Sequence, residues 1–407
     1  MSRFRSSLAV RGFSMVELMV AMAIALIGMI IIFQVFETSE GIKRTTTSGG
    51  DAQQNGILAL YNIEADLRNA GMGFNETAYT ECRNAGTVLA YDSSRTTPDW
   101  GTVANPLLLV PVVITPGANA QTPDTLKVFY GSSTQVMSAA ILAQDMLNDL
   151  SQVLLQSNYG FREGDLVILL QPSSAKNCTL MEVTAPSNAG NPALLHGSTN
   201  YNLAWMAGTP VKTPRFNKGG GMGVTFTGAN TSNATRIFNL GNLYDATGTM
   251  PVLNTYSISG NNLVVQNEFN ISAGVPVSNP LADNIVHLRA QYGLDDGVDN
   301  GSVTYHTNFA PNDGIVDRFV STTPANWAQV VSIRVAVLAR SALPEKPTTG
   351  TTCDATPNVP TWSGGGEAAT RVFDLSATVT APDDWRCYRY RLFETTVPLR
   401  NWIWKAS

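Results

Sequence analysis

The segment Arg11-Gly12-Phe13-Ser14-Met15-Val16-Glu17-Leu18 introduces an apolar run that ends near Phe36. Arginines at positions 3, 5 and 11 precede the run, and no acidic residue does. From position 18 to position 36 the run covers 19 residues, and Gln34 is its one clearly polar member. A helix needs about 20 residues to cross a bilayer core. The pattern therefore predicts a transmembrane helix over about residues 15–36.

Glu17 is the unusual residue of this segment, because it places an acid at the start of the apolar run. A carboxylate in hydrocarbon is costly and marks a functional position by default. A secretory signal peptide would share the basic start, but its apolar region is usually shorter and has no acid at its head. A plain membrane anchor would explain the length but not Glu17 or the Gly12-Phe13 junction.

The pattern Gly-Phe-Ser-x-x-Glu-Leu before an apolar helix resembles the class III signal of type IV pilins and type II secretion pseudopilins. The resemblance implies that prepilin peptidase removes a cytoplasmic leader, residues 1–12, by cutting between Gly12 and Phe13. It also implies that Phe13 is then N-methylated and that Glu17 pairs with the methylated amine, because a buried carboxylate needs a close cation. Basic residues before the membrane segment place the rest of the chain in the periplasm.

The composition indicates a folded protein without a nucleic-acid surface. The chain has 407 residues, of which 44% are hydrophobic and 14% charged, enough for one large domain or two. Its formal net charge of -5 argues against direct nucleic-acid binding, which normally uses a basic domain.

Four cysteines, Cys82, Cys178, Cys353 and Cys387, all follow the apolar run. An even number in an oxidising compartment predicts two disulfides, with three possible connectivities. We favour Cys82 with Cys178 and Cys353 with Cys387, the second closing a turn-rich loop.

Beyond the membrane segment we predict an α+β fold, in which a long N-terminal pilin helix over residues 13–72 packs on a β-rich domain over residues 73–407. Weak helix formers at positions 45–50 predict a bend or a loosened turn. An apolar stripe of Ile57, Leu60, Ile63 and Leu67 predicts packing onto a sheet. Strands are predicted at 125–130, 165–170, 180–184, 330–339 and 388–397, a hairpin at 255–265 and a helix at 138–155.

An acidic cluster is a candidate calcium site, since Ca²⁺ takes six to eight oxygen ligands from flexible loops. Its members are Asp295, Asp296, Asp299, Asn312, Asp313 and Asp317. The alternative is two turns, because Asp, Asn and Gly favour turns without any ion. The spacing is not that of an EF-hand.

No catalytic motif accompanies these features. The glycine-rich stretch at 218–223 lacks the ending of a P-loop, and His196, His287 and His306 are isolated, with no HExxH or GxSxG pattern. We therefore expect a protein that is not an enzyme and needs no cofactor other than the possible calcium. A membrane-anchored periplasmic enzyme or binding protein is the alternative of another class.

Blocks in the second half resemble PilW-type minor pilins of type IV pili, which are akin to the J-type pseudopilins. They include Phe238-Asn239-Leu240-Gly241, Gln291-Tyr292-Gly293-Leu294-Asp295 and Tyr390-Arg391-Leu392-Phe393-Glu394-Thr395-Thr396-Val397. Relative to that family, positions 297–312 look like an insertion in the acidic turn.

The resemblance implies an inner-membrane protein that is extracted into the pilus fibre and lies near its tip. It also implies that the protein helps to prime assembly for motility and adhesion. Implied partners are prepilin peptidase, other minor pilins, the major pilin, the inner-membrane assembly platform and a tip adhesin. A J-type pseudopilin of type II secretion is the alternative, although a length near 400 residues favours the pilus protein.

Overall fold

The structure is a computed structural model. It describes residues 14–74, 82, 87–90, 107–136, 138–174, 176–187, 190–217, 219–229, 233–246, 248–272, 275–301, 303, 307–345, 347, 353–362, 372–379 and 384–403. One long helix is followed by a large β-rich region, which confirms the predicted α+β class.

Helix α1, Met15–Asn69, is continuous over 55 residues. The weak helix formers at 45–50 therefore do not interrupt the helix with a loosened turn. The Thr46 hydroxyl donates to the Ile42 carbonyl one turn earlier at 2.9 Å, so this β-branched residue is accommodated inside the helix. Gly71 and Gly73 have positive φ, 82° and 84°, just after the helix ends, as expected for glycines that turn the chain away from a helix.

The described residues beyond α1 form twenty strands. In chain order these are β1 Thr87–Ala90, β2 Leu107–Leu108, β3 Val112–Thr115, β4 Thr125–Tyr130, β5 Ala140–Ile141, β6 Val153–Leu154, β7 Asp165–Leu170, β8 Cys178–Glu182, β9 Ala185–Ser187, β10 Ala193–Leu195, β11 Tyr201–Asn202, β12 Val211–Lys212, β13 Arg236–Asn242, β14 Val252–Ser259, β15 Asn262–Ser272, β16 Val275–Ala282, β17 Ile285–Leu294, β18 Arg318–Val320, β19 Val330–Arg340 and β20 Tyr390–Pro398. Short 3-10 turns at Trp327–Gln329 and Trp385–Cys387 and a final helix, α2 Arg400–Ile403, complete the described elements.

These strands form three larger sheets and two small ones. The larger sheets have the strand orders β2-β1-β8-β7-β13-β5, β16-β15-β14-β4-β3 and β18-β17-β19-β20. The small ones are β6-β10-β9 and β11-β12. Neighbouring strands are mostly antiparallel, and β1 runs parallel to β8.

The predicted hairpin is present between β14 and β15. Ser259 pairs with Asn262, so the loop is the dipeptide Gly260-Asn261, and both residues have positive φ, 57° and 62°. Two consecutive left-handed residues define the tight turn whose twist matches that of the flanking strands.

The helix predicted at 138–155 is wrong. This stretch contributes the short strands β5 and β6, and Leu142 forms an isolated antiparallel bridge with Leu155. Both leucines are buried in a second hydrophobic core, whereas Leu147 is 93% exposed. Apolar spacing resembled a helical stripe, but contacts with distant strands decide the local structure.

The main core contains the second half of α1 and buried residues of all three larger sheets. Within it, α1 packs against β4, β16, β17, β19 and β20. Every residue of β17 and β19 is buried. A third apolar cluster covers the other face of these strands and includes Trp362, Phe373, Leu375 and Trp385. The central strands therefore have α1 on one side and this C-terminal cover on the other.

Candidate functional site: the N-terminal helix and its contacts

The start of α1 is closed by a capping box made by Ser14 and Glu17. The Ser14 hydroxyl accepts the N–H of Val16 at 3.3 Å, and the Glu17 carboxylate accepts the N–H of Ser14 at 3.1 Å. These bonds satisfy amides that lack partners inside the helix. Glu17 is exposed in the isolated chain. The predicted processing residues, Gly12 and Phe13, lie outside the described residues, so the Phe13–Glu17 pairing stays a prediction.

The first half of α1 projects away from the sheets. It contains a stretch that is long and apolar enough to cross a membrane, and no residue of that stretch is buried in the protein. Its leucine, isoleucine, methionine, valine and phenylalanine side chains are mostly more than half exposed. Such a surface is stable in a lipid environment or against other apolar helices, not in water.

The second half of α1 packs on the sheets through small and branched residues. Ala52, Ala59, Ile63 and Leu67 are at most 2% exposed. Gly56 lies in the same row, and a Cβ atom added there would overlap the ring of Phe393 on β20. The absence of a side chain at Gly56 therefore permits the close approach of helix and strand.

The predicted apolar stripe is only partly correct. Ile63 and Leu67 are fully buried and Leu60 is half-buried, but Ile57 is 54% exposed. Ile57 lies beside exposed Leu58 and Tyr61 on the face of α1 that points away from the sheets. Small residues on the buried face, alanine and glycine, gave little hydrophobic signal in the sequence.

Asp66 connects α1 to two strands, a role that was not predicted from the sequence. One carboxylate oxygen accepts the hydroxyl of Tyr130 at 2.9 Å. The other accepts the hydroxyl of Tyr256 and the side-chain amide of Asn254, both at 2.6 Å. Burial, and then the charge of Asp66, raise the pKa of both tyrosines above their ordinary values. The one available signal was an acid immediately beside the apolar stripe.

Further hydrogen bonds join both ends of the second half of α1 to the rest of the protein. The N–H of Leu343 donates to the hydroxyl of buried Ser48 at 3.3 Å. At the other end, the side-chain amide of Asn401 in α2 donates to the carbonyls of Arg68 and Ala70 at 3.2 and 3.4 Å. Docking of α1 thus extends over residues 48–70.

The two disulfides have the connectivity favoured from the sequence. Cys82 is bonded to Cys178, with Cα atoms 5.4 Å apart. Cys353 is bonded to Cys387, with Cα atoms 4.8 Å apart. The second disulfide closes the segment that carries Trp362 and Phe373, and so it tethers the C-terminal cover to the start of β20.

The six acidic-turn candidates do not act as one group. The carboxylate of Asp296 pairs with the guanidinium of Arg318 at 2.6 Å. Asp299 accepts the N–H of Gly301 at 2.7 Å, and Asp313 that of Ile315 at 2.8 Å, as in turns without an ion. Asp295 and Asp317 differ, because they are almost completely buried. Asn312 is exposed and contributes its N–H to Asp295.

Glu182, His287 and His196 are among the titratable side chains of the packed interior. Glu182 is fully buried and accepts the hydroxyls of Tyr201 and Tyr244 and the N–H of Arg215; burial raises its pKa. The ring nitrogens of His287 contact the carbonyls of Leu288 and Ala120, and burial lowers its pKa to about 4. His196 is buried beside the carbonyl of Ser151, and burial likewise lowers its pKa. His306 and Lys218 lie outside the described residues.

Comparison with known proteins agrees with this geometry. The family described as Prokaryotic N-terminal methylation motif matches residues 8–33, which include the start of α1. The family described as Type IV Pilus-assembly protein W matches residues 254–401, from within β14 to α2. The chain is therefore a type IV pilin-like protein that carries an N-methylation motif. Its residues 254–401 resemble PilW-type pilus proteins, which confirms the resemblance stated from the sequence.

A distant relative points the same way. The chain is 26% identical to Pilin-like protein PilA3 of Thermus thermophilus over a stretch of 183 residues. This stretch covers 44% of this chain and 60% of that protein. The matched stretch thus spans less than two thirds of that relative's length. No solved structure matches the chain.

Proposed function

We propose that this protein is a minor pilin that enters the type IV pilus through α1 and takes part in priming pilus assembly and in the tip complex. The observation that carries the proposal is the division of α1 into an unburied apolar half and a half docked on the sheets. The first half suits a lipid bilayer before assembly and a bundle of pilin helices afterwards.

Before assembly, the chain would be held in the inner membrane with its β-rich part in the periplasm. Prepilin peptidase would cut between Gly12 and Phe13, and Phe13 would be N-methylated. The inner-membrane assembly platform would then extract the processed chain. The N-methylation motif at residues 8–33 supports this order of events.

In the fibre, Glu17 would pair with the methylated amine of Phe13, in the same chain or in a neighbour. The capping box shows that the Glu17 carboxylate already faces the N-terminal end of α1, where it accepts the Ser14 amide. A buried carboxylate is strongly unfavourable without a close cation. This pairing would set the axial position of the subunit among the other minor pilins and the major pilin.

The exposed face formed by Ile57, Leu58 and Tyr61 supports assembly through helices. It lies on the same helix as the apolar membrane half, and it faces away from the protein's own sheets. We infer that helices of neighbouring pilins cover it in the fibre. A tip location would leave the β-rich part accessible for adhesion, including presentation of a tip adhesin.

Co-purification of the minor pilins with tagged full-length chain tests the proposal. Glu17→Ala should abolish incorporation into minor-pilin complexes, whereas Glu40→Ala, at an exposed position farther along α1, should leave it unchanged. Incorporation of Glu17→Ala at the wild-type level would contradict the role of Glu17. Recovery of the wild-type chain with a secretion pseudopilus instead of a pilus would contradict the proposal that it belongs to a type IV pilus.

A further inference from the structure

Two of the candidate calcium ligands are brought together at the end of the sheet formed by β17 and β18. Leu294 is paired with Arg318, and the N–H of Asp317 donates to the carbonyl of Leu294 at 2.7 Å. Continuation of this antiparallel register places Asp317 beside Asp295. Asp295 is 3% exposed and Asp317 is 0% exposed.

The two carboxylates differ in the number of hydrogen bonds that they accept. Asp295 accepts the backbone N–H groups of Asn312, Asp313 and Gly314, the last at 2.7 Å. Asp317 accepts the N–H of Gly297 at 2.6 Å through its Oδ2 atom. Its Oδ1 atom is buried and makes no hydrogen bond to any described residue. One carboxylate oxygen in this buried site therefore lacks a partner.

Among the residues that the structure describes, no cationic side chain is paired with Asp295 or Asp317. A buried carboxylate is unfavourable unless it is paired or coordinates a metal, and a second carboxylate nearby adds repulsion. The neighbouring guanidinium, that of Arg318, donates to the carboxylate of Asp296 from both its Nε and its Nη2 atoms. The positive charge of Arg318 is therefore paired with Asp296 and not with Asp295 or Asp317.

We propose that Asp317 and Asp295 bind one calcium ion, with Asp317 Oδ1 as the principal ligand atom. No group of three or more His, Cys, Asp or Glu side chains surrounds a common point in the part of the chain that the structure describes. The other ligands are consequently main-chain carbonyls of the two turns and water. Calcium fits better than magnesium, because it accepts irregular oxygen shells whereas magnesium demands a near-ideal octahedron.

The ion joins the turn that follows β17 to the turn that precedes β18. Asp317 already contacts Gly297 in the first turn, and Asp295 contacts residues 312–314 in the second. A calcium ion between the two carboxylates would lock both turns to the end of the sheet. This site does not involve Glu17 or α1, so the calcium proposal can be tested independently of the proposed assembly function.

Thermal unfolding of the full-length chain in detergent micelles, first treated with a chelator, tests the site. Calcium at about 5 mM, above the ~10⁻⁴–10⁻³ M dissociation constants of extracellular calcium modules, should raise the melting temperature by several degrees. The same concentration of magnesium should produce a much smaller shift. Asp317→Asn should abolish the calcium shift, whereas Asp299→Asn, the matched control in the exposed turn, should retain it.

Terbium luminescence of the wild-type chain, with competition by calcium, supplies a readout that does not depend on the folding of a variant. Saturable terbium binding displaced by calcium supports the site. The absence of both a calcium shift and terbium binding would overturn it, as would an equal calcium shift in Asp317→Asn.

Discussion

Gly56 of α1 lies directly against the ring of Phe393 on β20, with no room between them for a Cβ atom. This contact fixes how closely the pilin helix approaches the edge of the four-stranded sheet. Gly56→Ala should destabilise the protein by about 1–3 kcal/mol, the usual effect of overpacking. That loss exceeds the gain of up to about 1 kcal/mol that alanine brings to a helix interior.

Gly50→Ala is the matched control, because no atom lies within 4 Å of a Cβ added at that position. It should be neutral or stabilising by up to about 1 kcal/mol. Denaturant unfolding of the full chain in micelles measures both variants. Equal effects at Gly56 and Gly50 would show that the contact with Phe393 does not limit docking.

Asp66→Ala should be among the most destabilising single changes in α1. It leaves the hydroxyls of Tyr130 and Tyr256 and the amide of Asn254 without their shared acceptor. A buried donor without a partner costs about 1–3 kcal/mol. Asp51→Ala, on the exposed side of the same helix, should change the free energy of unfolding by less than about 0.5 kcal/mol. Similar losses for both variants would refute the anchoring role of Asp66.

The same network predicts a loss of stability in alkaline solution. The pKa values of Tyr130 and Tyr256 are raised in the folded protein, whereas an unfolded tyrosine titrates near about 10. Above that pH the unfolded chain has released protons that the folded chain retains, so the free energy of unfolding falls as pH rises. Tyr256→Phe should show a shallower alkaline slope than wild type in unfolding measured from pH 8 to 11. An unchanged slope would contradict this assignment.

Removal of the second disulfide should loosen the C-terminal cover. Cys353 and Cys387 are 34 positions apart, and the chain-entropy relation gives about 3–4 kcal/mol for a loop of that size. Cys353→Ser with Cys387→Ser should therefore lower stability and increase amide exchange in β19, whose outer face the cover shields. Unchanged exchange in β19 would mean that packing of Trp362 and Phe373 holds the cover without the disulfide.

The parts of the structure that the sequence predicted well are those with a strong local signal. The apolar run behind the Gly-Phe-Ser-x-x-Glu-Leu pattern defines the first part of α1. The apolar, β-branched segments of β4, β7 and β19 and the turn at residues 260–262 define strands and a hairpin. The helix predicted at residues 138–155 is absent, because the apolar spacing fitted a helix but contacts with distant strands determine the conformation.

The residues of the candidate site also differ in how well the sequence predicted their roles. Glu17 stood out because an acid at the head of an apolar run is unusual in any fold. Asp66 and Gly56 did not, since their roles depend on residues 64 and more positions away. The six acidic candidates looked equivalent in the sequence, and only the register of β17 and β18 distinguishes Asp295 and Asp317 from the rest.

Mass spectrometry of surface fibres sheared from cells that express this chain tests the central claim most directly. We predict that the fibres contain the protein in low abundance and that its N-terminal peptide begins at N-methylated Phe13. A chain that retains residues 1–12, found in membranes and absent from the fibres, would contradict the account.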